Sequence, residues 1–497
     1  MEFIKNFPFF SIVLCMVAST VSSVLSGKNA KRVTMFVVSA VGIMSAFVCY
    51  YVMQTGESFT YLMGHHPAPW GNELRVGVLE GVMVVFFCII MMISLLGGMK
   101  QIFKDVSEKK LNLYFIMIDL LLASMIALIY TNDLFNAYVF IEINTIAACG
   151  LIMSKQNGRT LVGAMKYMVM SLVGSGLILF GLSILYGVTG HLLMPNIKES
   201  VIALTQSGQY RVPVLVTIAM VTVGLAIKSA LYPFHNWLPD TYSYGTATSS
   251  ALLSSLVSKS YIFLLIKIIY RVVGFDVIVG SGILNIFFVF GLAGMIMGSI
   301  RALAQNDIRK MIAYSSVAQI GYIYMGIGLG TKFGVYAAVF HIMSHAASKA
   351  LLFISANGLS VASGNGKEFA NLRGAGYRNK LAGFGFMVGS LSMVGIPLFA
   401  GFISKLNFAQ AAMVSGSKMM PTLICLAIST VLNAGYFIRA VIVLYTPVTK
   451  AEQPENYYKR DYSFIISVVC FVILNFVLGM FSGPIMDAIK SGLAMFA

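Results

Sequence analysis

The chain has 497 residues, of which 58% are hydrophobic and only 10% charged, and its mean hydropathy is +0.85. A soluble protein has roughly a quarter of its residues as Asp, Glu, Lys and Arg. This composition excludes a soluble enzyme, a disordered protein and a nucleic-acid-binding module. It predicts an all-α polytopic membrane protein.

The net charge of +16 has the distribution of a membrane protein. Basic residues lie in short clusters between apolar segments, such as Lys28 to Arg32, Lys100 to Lys110 and Lys367 to Lys380. Cytoplasmic loops of membrane proteins are rich in Lys and Arg. The more basic loops follow the odd-numbered apolar segments, so we expect a multi-pass protein of the cell membrane with both termini outside.

Apolar segments of about 20 residues, the length that crosses a bilayer, follow one another along the chain. About fourteen such segments are present, and they are numbered here as predicted spans 1 to 14, near residues 7–27, 32–54, 76–98, 111–130, 133–154, 163–190, 212–233, 247–272, 277–302, 308–330, 335–361, 381–412, 419–447 and 462–489. The join between spans 4 and 5 is ambiguous around Thr131–Asp133.

Cofactor and metal motifs are missing from the sequence. The cysteines lie in apolar stretches without CxxC spacing, and no GxGxxG, GxxxxGK[ST] or HExxH motif occurs. Such motifs mark many metal and nucleotide sites. We expect no cofactor and no metal in this chain, and no redox or nucleotide chemistry of its own.

Charged residues interrupt several spans deep in the apolar sequence: Glu142, Lys228, Lys259, Lys349 and Lys405. Placing one ionised group at that depth costs about 2.5–3.5 kcal/mol on insertion scales, so such residues usually line an ion path or pair with one another. Direct pairs cannot neutralise four lysines with one deeply buried glutamate. The pattern favours a proton path, and a scaffold with locked ion pairs is the alternative.

His341, His345 and Lys349 recur at i, i+4 and i+8, which places them on one face of a helix. Histidine titrates near neutral pH and suits a proton relay. Metal binding is one alternative, but no carboxylate or cysteine lies nearby in sequence to complete a zinc shell. A pair of hydrogen-bonded packing histidines is the other alternative.

Prolines interrupt spans 7 and 12. Lys228 precedes Pro233 and Pro239, and Pro397 precedes Lys405. Proline removes a backbone hydrogen bond, and the freed carbonyls are tolerated only where protein or water satisfies them. Broken helices at ion sites are typical of transporters built from internal repeats, whereas kinks without function are the alternative.

Five of these segments together resemble a known family, and they span most of the chain: Thr131–Glu142, Lys228–Asp240, Gln305–Ser316, His341–Lys349 and Pro397–Lys405. They are similar to the antiporter-like subunits of respiratory complex I, Mrp cation/proton antiporters and membrane-bound hydrogenases. Lys405 makes the chain resemble the D-type member of Mrp Na⁺/H⁺ antiporters and its hydrogenase counterpart, and the segment from Met63 to Arg75 resembles an outside loop of these types.

The resemblance implies a fold of about fourteen transmembrane helices, with two inverted five-helix repeats and discontinuous helices 7 and 12. The implied division is residues 1–110 for spans 1–3, 111–273 for the first repeat, 274–448 for the second repeat and 449–497 for span 14.

The resemblance also implies a role for each buried charge, with protons moving along a hydrated axis. The implied order is Glu142 and Lys228 as the pair of the first half-channel, Lys259 as the connecting residue, His341, His345 and Lys349 as the central relay, and Lys405 at the end of the second half-channel.

The implied function is that of a proton-translocating subunit of a multisubunit Mrp-type Na⁺(cation)/H⁺ antiporter, with other membrane subunits as partners and H⁺ and Na⁺ as the ions. The alternative is the equivalent ion-pumping subunit of a redox-driven complex, a membrane-bound hydrogenase or NADH dehydrogenase with peripheral redox subunits. A membrane scaffold that transports nothing is the second alternative.

Overall fold

The computed structural model describes residues 2–67, 71–448 and 460–496, and the chain is almost entirely helical. Twelve helices within those residues have the length and apolar composition needed to cross a membrane. They correspond to predicted spans 1–9, 11, 13 and 14. The predicted fold class, an all-α polytopic membrane protein, is confirmed, whereas the number of fourteen spans stays a prediction.

The first six long helices follow spans 1–6: α1 (Phe7–Val24), α2 (Gly27–Thr55), α3 (Val78–Asp105), α4 (Leu111–Tyr130), α5 (Leu134–Met153) and α6 (Gly158–Thr189). The join between spans 4 and 5 lies at residues 131–133. There the Asp133 carboxylate accepts a hydrogen bond of 2.8 Å from the Asn136 amide, which satisfies an orphan donor and fixes the start of α5.

The middle of the chain is divided into shorter helices: α7 (Met194–Ser207), α8 (Arg211–Lys228), α9 (Leu238–Tyr244), α10 (Ala247–Leu252), α11 (Ser258–Ile268) and α12 (Phe275–Gly280). A π-helical segment, Leu253–Val257, joins α10 to α11, and a second one, Ile269–Val273, follows α11. Together α10, α11 and these segments form predicted span 8.

The remaining helices are α13 (Ile283–Leu303), α14 (Ile308–Gly328), α15 (Lys332–Ala362), α16 (Ala375–Arg378), α17 (Lys380–Val394), α18 (Ala400–Met413), α19 (Met419–Leu444), α20 (Tyr462–Met480) and α21 (Ser482–Ala494). Predicted span 14 was wrong in its extent, because the structure divides it into α20 and α21. Pro484 lies at the start of α21, and it has no N–H to continue the hydrogen-bonding of α20.

Two segments expected to be loops contain structure. Strands β1 (Phe59–Leu62) and β2 (Glu73–Val76) pair antiparallel, with Phe59 opposite Val76, and α7 lies in the other loop, at residues 191–211. Residues 68–70 of the segment compared with Mrp and hydrogenase loops lie outside the described residues.

Two spans are wholly enclosed by other helices. Every residue in the apolar window of Ala247–Val273 is buried, and the same is true of Lys332–Ala362. The polar side chains within these two windows therefore contact protein. This enclosure positions Lys259, Lys349 and the two histidines in the interior.

Small residues allow close helix packing, which drives association in membranes. A Cβ at Gly224 of α8 would lie 2.6 Å from the carbonyl oxygen of Gly174 in α6. Only glycine permits this approach, and it holds the C-terminal end of α8, with Lys228, inside the helix bundle.

Both spans that the sequence predicts to be interrupted by proline, spans 7 and 12, are broken. Helix α8 ends at Lys228, and the chain passes through a short 3₁₀ turn, Phe234–Trp237, before α9. Helix α17 ends at Val394 and α18 begins at Ala400. The predicted discontinuity of spans 7 and 12 is confirmed, while the inverted repeats and the divisions at residues 110, 273 and 448 stay predictions.

Candidate functional site

Glu142 and Lys228 form a loose pair between α5 and α8. Lys228 Nζ lies 3.9 Å from Glu142 Oε1, with the Lys228 side chain fully buried and that of Glu142 26% exposed. Lys228 Nζ donates its hydrogen bond of 2.9 Å to the Thr145 hydroxyl, and Glu142 Oε1 has no hydrogen-bond partner among the described residues. The pair interacts through space and is not locked by a hydrogen bond.

The break after Lys228 leaves backbone groups that need partners. The Trp237 indole N–H donates to the Ile227 carbonyl at 3.3 Å. The Ser229 hydroxyl lies 2.7 Å from the Tyr324 hydroxyl. These contacts stabilise a helix end beside Lys228 within the membrane-spanning part of the protein.

Lys259 lies on the enclosed α11, immediately after the π-helical segment. Its ammonium donates to the Ser254 carbonyl and, at 3.1 Å, to the Ser258 hydroxyl. π-Helical turns inside α-helices occur frequently at functional sites, because the extra residue leaves carbonyl groups available. Lys259 is fully buried and takes part in no ion pair within the described part of the chain.

Lys349 lies on the enclosed α15 and is held in the same way. Its ammonium donates to the Ile312 carbonyl at 2.9 Å and to the Ser315 hydroxyl, both on α14. Here too the partners are neutral, and no carboxylate lies within ion-pair distance among the residues described.

The two histidines stack along one face of α15. Their ring centroids are 5.9 Å apart and the rings are parallel within 1°. His341 Nδ1 lies 2.6 Å from the Ser404 hydroxyl, whereas His341 Nε2 and both ring nitrogens of His345 have no hydrogen-bond partner among the described residues. Buried ring nitrogens without partners are costly, so the alternative of two hydrogen-bonded packing histidines is not supported at His345.

Lys405 bridges the second helix break. Its ammonium donates to the carbonyl of Val394, the last residue of α17, at 2.7 Å and to the Thr430 hydroxyl of α19 at 2.9 Å. The Ser404 hydroxyl beside it contacts His341. The structure therefore brings His341 and the second broken helix together.

Two tyrosines connect groups that the sequence leaves apart. Lys228 Nζ lies 5.6 Å from the ring centroid of Tyr261, which is two residues from Lys259. The Tyr322 ring stacks on His341 with centroids 5.5 Å apart, and Lys405 Nζ lies 5.8 Å from the Tyr322 ring centroid.

Sequence reasoning missed these two tyrosines together with Thr145, Ser404 and Thr430. Thr145 had a detectable signal, because it lies three residues after Glu142 and so on the same helix face. The others become neighbours only through tertiary packing. Within the described residues, no group of three His, Cys, Asp or Glu side chains converges as metal ligands.

Residues 131–444 match the protein family described as NADH:quinone oxidoreductase/Mrp antiporter, TM. The matched region contains both broken helices and all seven predicted site residues. The chain belongs to this family. The resemblance inferred from the five sequence segments is confirmed.

Relatives of this chain fall into more than one group. It is 31% identical over 443 residues to the N component of NADH-quinone oxidoreductase of Desulforudis audaxviator, covering 87% of this chain and 86% of the relative. It is 25% identical over 479 residues to the D component of the Na⁺/H⁺ antiporter of Bacillus subtilis, covering 96% of this chain and 94% of the relative.

Solved structures share the fold at lower identity. A chain of the membrane-bound sulfane sulfur reductase, an archaeal respiratory membrane complex, superposes with a TM-score of 0.89 at 24% identity and covers 100% of this chain and 98% of that one. A chain of the Mrp complex from a Dietzia species gives a TM-score of 0.87 at 20% identity, covering 99% and 97%. The two similar structures are chains of membrane complexes.

Proposed function

We propose that the chain translocates protons as the antiporter-like subunit of a multisubunit Mrp-type Na⁺(cation)/H⁺ antiporter. The observation that carries the proposal is the series of buried lysines and histidines along two enclosed helices, continued by the partly buried Lys405 at the second helix break. Lys259, Lys349 and Lys405 bond only to carbonyl and hydroxyl oxygens in the described structure. Such groups accept a lysine in the membrane interior without fixing its charge through a carboxylate.

In this proposal the proton follows the order of the buried groups. Glu142 and Lys228 form the first pair, Lys259 connects it to the centre, His341, His345 and Lys349 form the relay, and Lys405 is the last group. The loose contact of 3.9 Å between Lys228 and Glu142 supports a pair that separates during transport. Loosening it changes the electrostatic field on the next lysine, and water between the groups would carry the proton.

Other membrane subunits are the proposed partners. Glu142 is partly exposed at the side of the molecule, and Ile146, one turn further along α5, is 60% exposed. Because a charged side chain facing lipid is costly, a neighbouring subunit that covers this face would account for the partial exposure of Glu142. The proposed location is the cell membrane, with both termini outside, H⁺ and Na⁺ as the ions and no cofactor in this chain.

A redox-driven complex is the second candidate. It is favoured by the relative named as a component of NADH-quinone oxidoreductase, at 31% identity. In that case the same groups move protons under an electron-transfer drive, and peripheral redox subunits join the complex. A scaffold with locked ion pairs is less well supported, because Lys259, Lys349 and Lys405 make no ion pair in the described residues.

Ion exchange by the purified complex tests the proposal. The complex is tagged on this chain, extracted mildly, identified by mass spectrometry and placed in vesicles with a pH-sensitive dye inside. An imposed Na⁺ gradient should move protons without any electron donor, and only small membrane subunits should co-purify. Proton movement that requires an electron donor, with iron–sulfur or flavin subunits present, would favour the redox complex instead.

A further inference from the structure

A cleft of about 910 Å³ opens at the end of the molecule where α3 and α15 end and α14 and α20 begin. It lies away from the path described above. Under the proposed orientation this end faces the cytoplasm. The cleft is lined by more cations than anions: Lys100, Lys104, Lys155, Arg309 and Lys367 against Asp105 and Asp461.

The acidic residues already have partners. Asp105 forms an ion pair of 3.0 Å with Lys155 and accepts a hydrogen bond from the Gln101 amide. Asp461 caps the start of α20 by accepting a hydrogen bond from the Ser463 amide at 3.1 Å. Among the described residues, the cleft therefore has surplus positive charge on Lys100, Lys104, Arg309 and Lys367.

Arg309 is the deepest of these cations, with only 2% of its surface exposed. Its Nη2 lies 3.4 Å from the Ser250 hydroxyl, a long contact, and its Nε has no hydrogen-bond partner in the described part of the chain. The nearby Asp307 carboxylate is engaged by the backbone amides at the start of α14. A buried guanidinium without a bonded anion is costly.

Lys367 lies in the loop after α15, outside the membrane-spanning segments. Its ammonium donates to the Ser243 carbonyl at 3.2 Å, its one hydrogen bond within the part of the chain that the structure describes. Burial, together with the positive charges of Arg309 and Lys155, lowers the pKa of Lys367 to about 7 against the opposing effects of Asp307 and Asp105. These cations crowd one another, so a bound anion would stabilise all of them.

Gly97, Gly358, Val361 and Phe464 add apolar surface to the lining of the cleft. A site that combines several cations with apolar surface suits an amphipathic anion. The forked donors of an arginine fit phosphate oxygens in particular, and basic pockets between membrane helices on the cytoplasmic side bind lipid headgroups.

We propose that this cleft binds a phosphate group, and that the group belongs to the headgroup of an anionic phospholipid. Arg309 contacts the phosphate at the bottom, Lys367 beside it, and Lys100 and Lys104 close the opening. The site is independent of the proton path and of the choice between an Mrp and a redox complex.

Native mass spectrometry of the purified complex tests this assignment. The complex is stripped of lipid and then titrated with phosphatidylglycerol or with zwitterionic phosphatidylcholine. The wild type should retain phosphatidylglycerol selectively. The double variant K100A/K104A should bind it about 25-fold more weakly, because each basic residue near an anionic headgroup contributes about five-fold.

The matched control is K109A/K110A, which removes two exposed lysines at the same end but outside the cleft. It should bind phosphatidylglycerol like the wild type. Arg309→Gln should abolish selective binding of phosphatidylglycerol. If this buried substitution prevents folding, K100A/K104A still tests the proposal, because Lys100 and Lys104 are exposed. Equal losses in both double variants, equal retention of the two lipids, or retention of inorganic phosphate without phosphatidylglycerol would overturn the lipid assignment. So would cross-linking of position 104 to a protein subunit in place of lipid.

Discussion

At the scale of single residues, the buried lysines share one feature. They bond to carbonyl and hydroxyl oxygens, as Lys349 does to Ile312 and Ser315 and as Lys405 does to Val394 and Thr430. Neutral partners accept a hydrogen bond from either form of a lysine, whereas a locked carboxylate would hold the charged form. The environment of these lysines therefore suits groups that gain and lose protons.

Ser404 is predicted to be a positioning residue for His341. In Ser404→Ala the His341 ring loses its hydrogen bond to the Ser404 hydroxyl, and a water molecule in the space left replaces that bond only in part. Proton flux should therefore fall about three- to ten-fold, which is roughly the effect of one hydrogen bond. Ser404→Thr keeps the hydroxyl and should restore most of the flux. His341→Ala should slow transfer without abolishing it. Flux measured in vesicles with a pH-sensitive dye checks all three variants, and unchanged flux in Ser404→Ala would contradict the role.

Lys367 is predicted to make phosphatidylglycerol binding depend on pH. Its pKa is lowered to about 7 by burial and by neighbouring cations, so the empty site loses this positive charge as the pH rises above that value. Affinity for phosphatidylglycerol should therefore be higher at about pH 6 than at about pH 8.5. The phosphodiester of the lipid does not titrate between these two pH values. Lys367→Arg should bind with little pH dependence, because arginine stays charged. An equal pH dependence in that variant would exclude Lys367 as the cause.

At the scale of helices, the sequence predicted the two helix breaks but not the side-chain contacts made at them. Pro233 and Pro397 predicted both discontinuities, since proline cannot continue the backbone hydrogen bonding. The bond from Lys405 back to Val394 across the second break was not predictable, nor was the stacking of Tyr322 on His341. Those neighbours come from separate helices, and helical periodicity gives a face but no partner.

Helix α13 packs against α14 through glycine, and this contact is predicted to be sensitive to a single methyl group. A Cβ at Gly291 would lie 2.4 Å from the Met325 backbone nitrogen, whereas nothing lies within 4 Å of a Cβ at Gly176 on α6. Gly291→Ala should lower stability by about 1–3 kcal/mol through overpacking. Gly176→Ala, the control, should be neutral or slightly stabilising, because alanine favours helix. Thermal unfolding in detergent compares the two, and an equal response would contradict the packing argument.

At the scale of the whole molecule, the sequence predicted the fold class and the family, but not the β-hairpin, α7 or the division of span 14. Helix α7 is amphipathic but short and low in mean hydropathy, and the strands have four residues each, so a search for apolar spans of about 20 residues does not detect them. The enclosure of α11 and α15 also depends on the arrangement of all the other helices. It explains why Lys259 and Lys349 are tolerated in these two spans, since both side chains are fully buried in protein.

The most direct test of the proton path uses its first pair in an assembled complex. Glu142→Ala and Lys228→Ala are compared with Asp119→Asn, a matched substitution of a buried acid on α4 that contacts Thr34 and lies outside the path. Assembly is checked by co-purification, and proton translocation is measured in vesicles. We expect normal assembly of all three variants, flux reduced by about 100-fold or more in the first two, and near wild-type flux in the control. Wild-type flux in either path variant, or losses of flux that only follow losses of assembly, would contradict the proposed proton path.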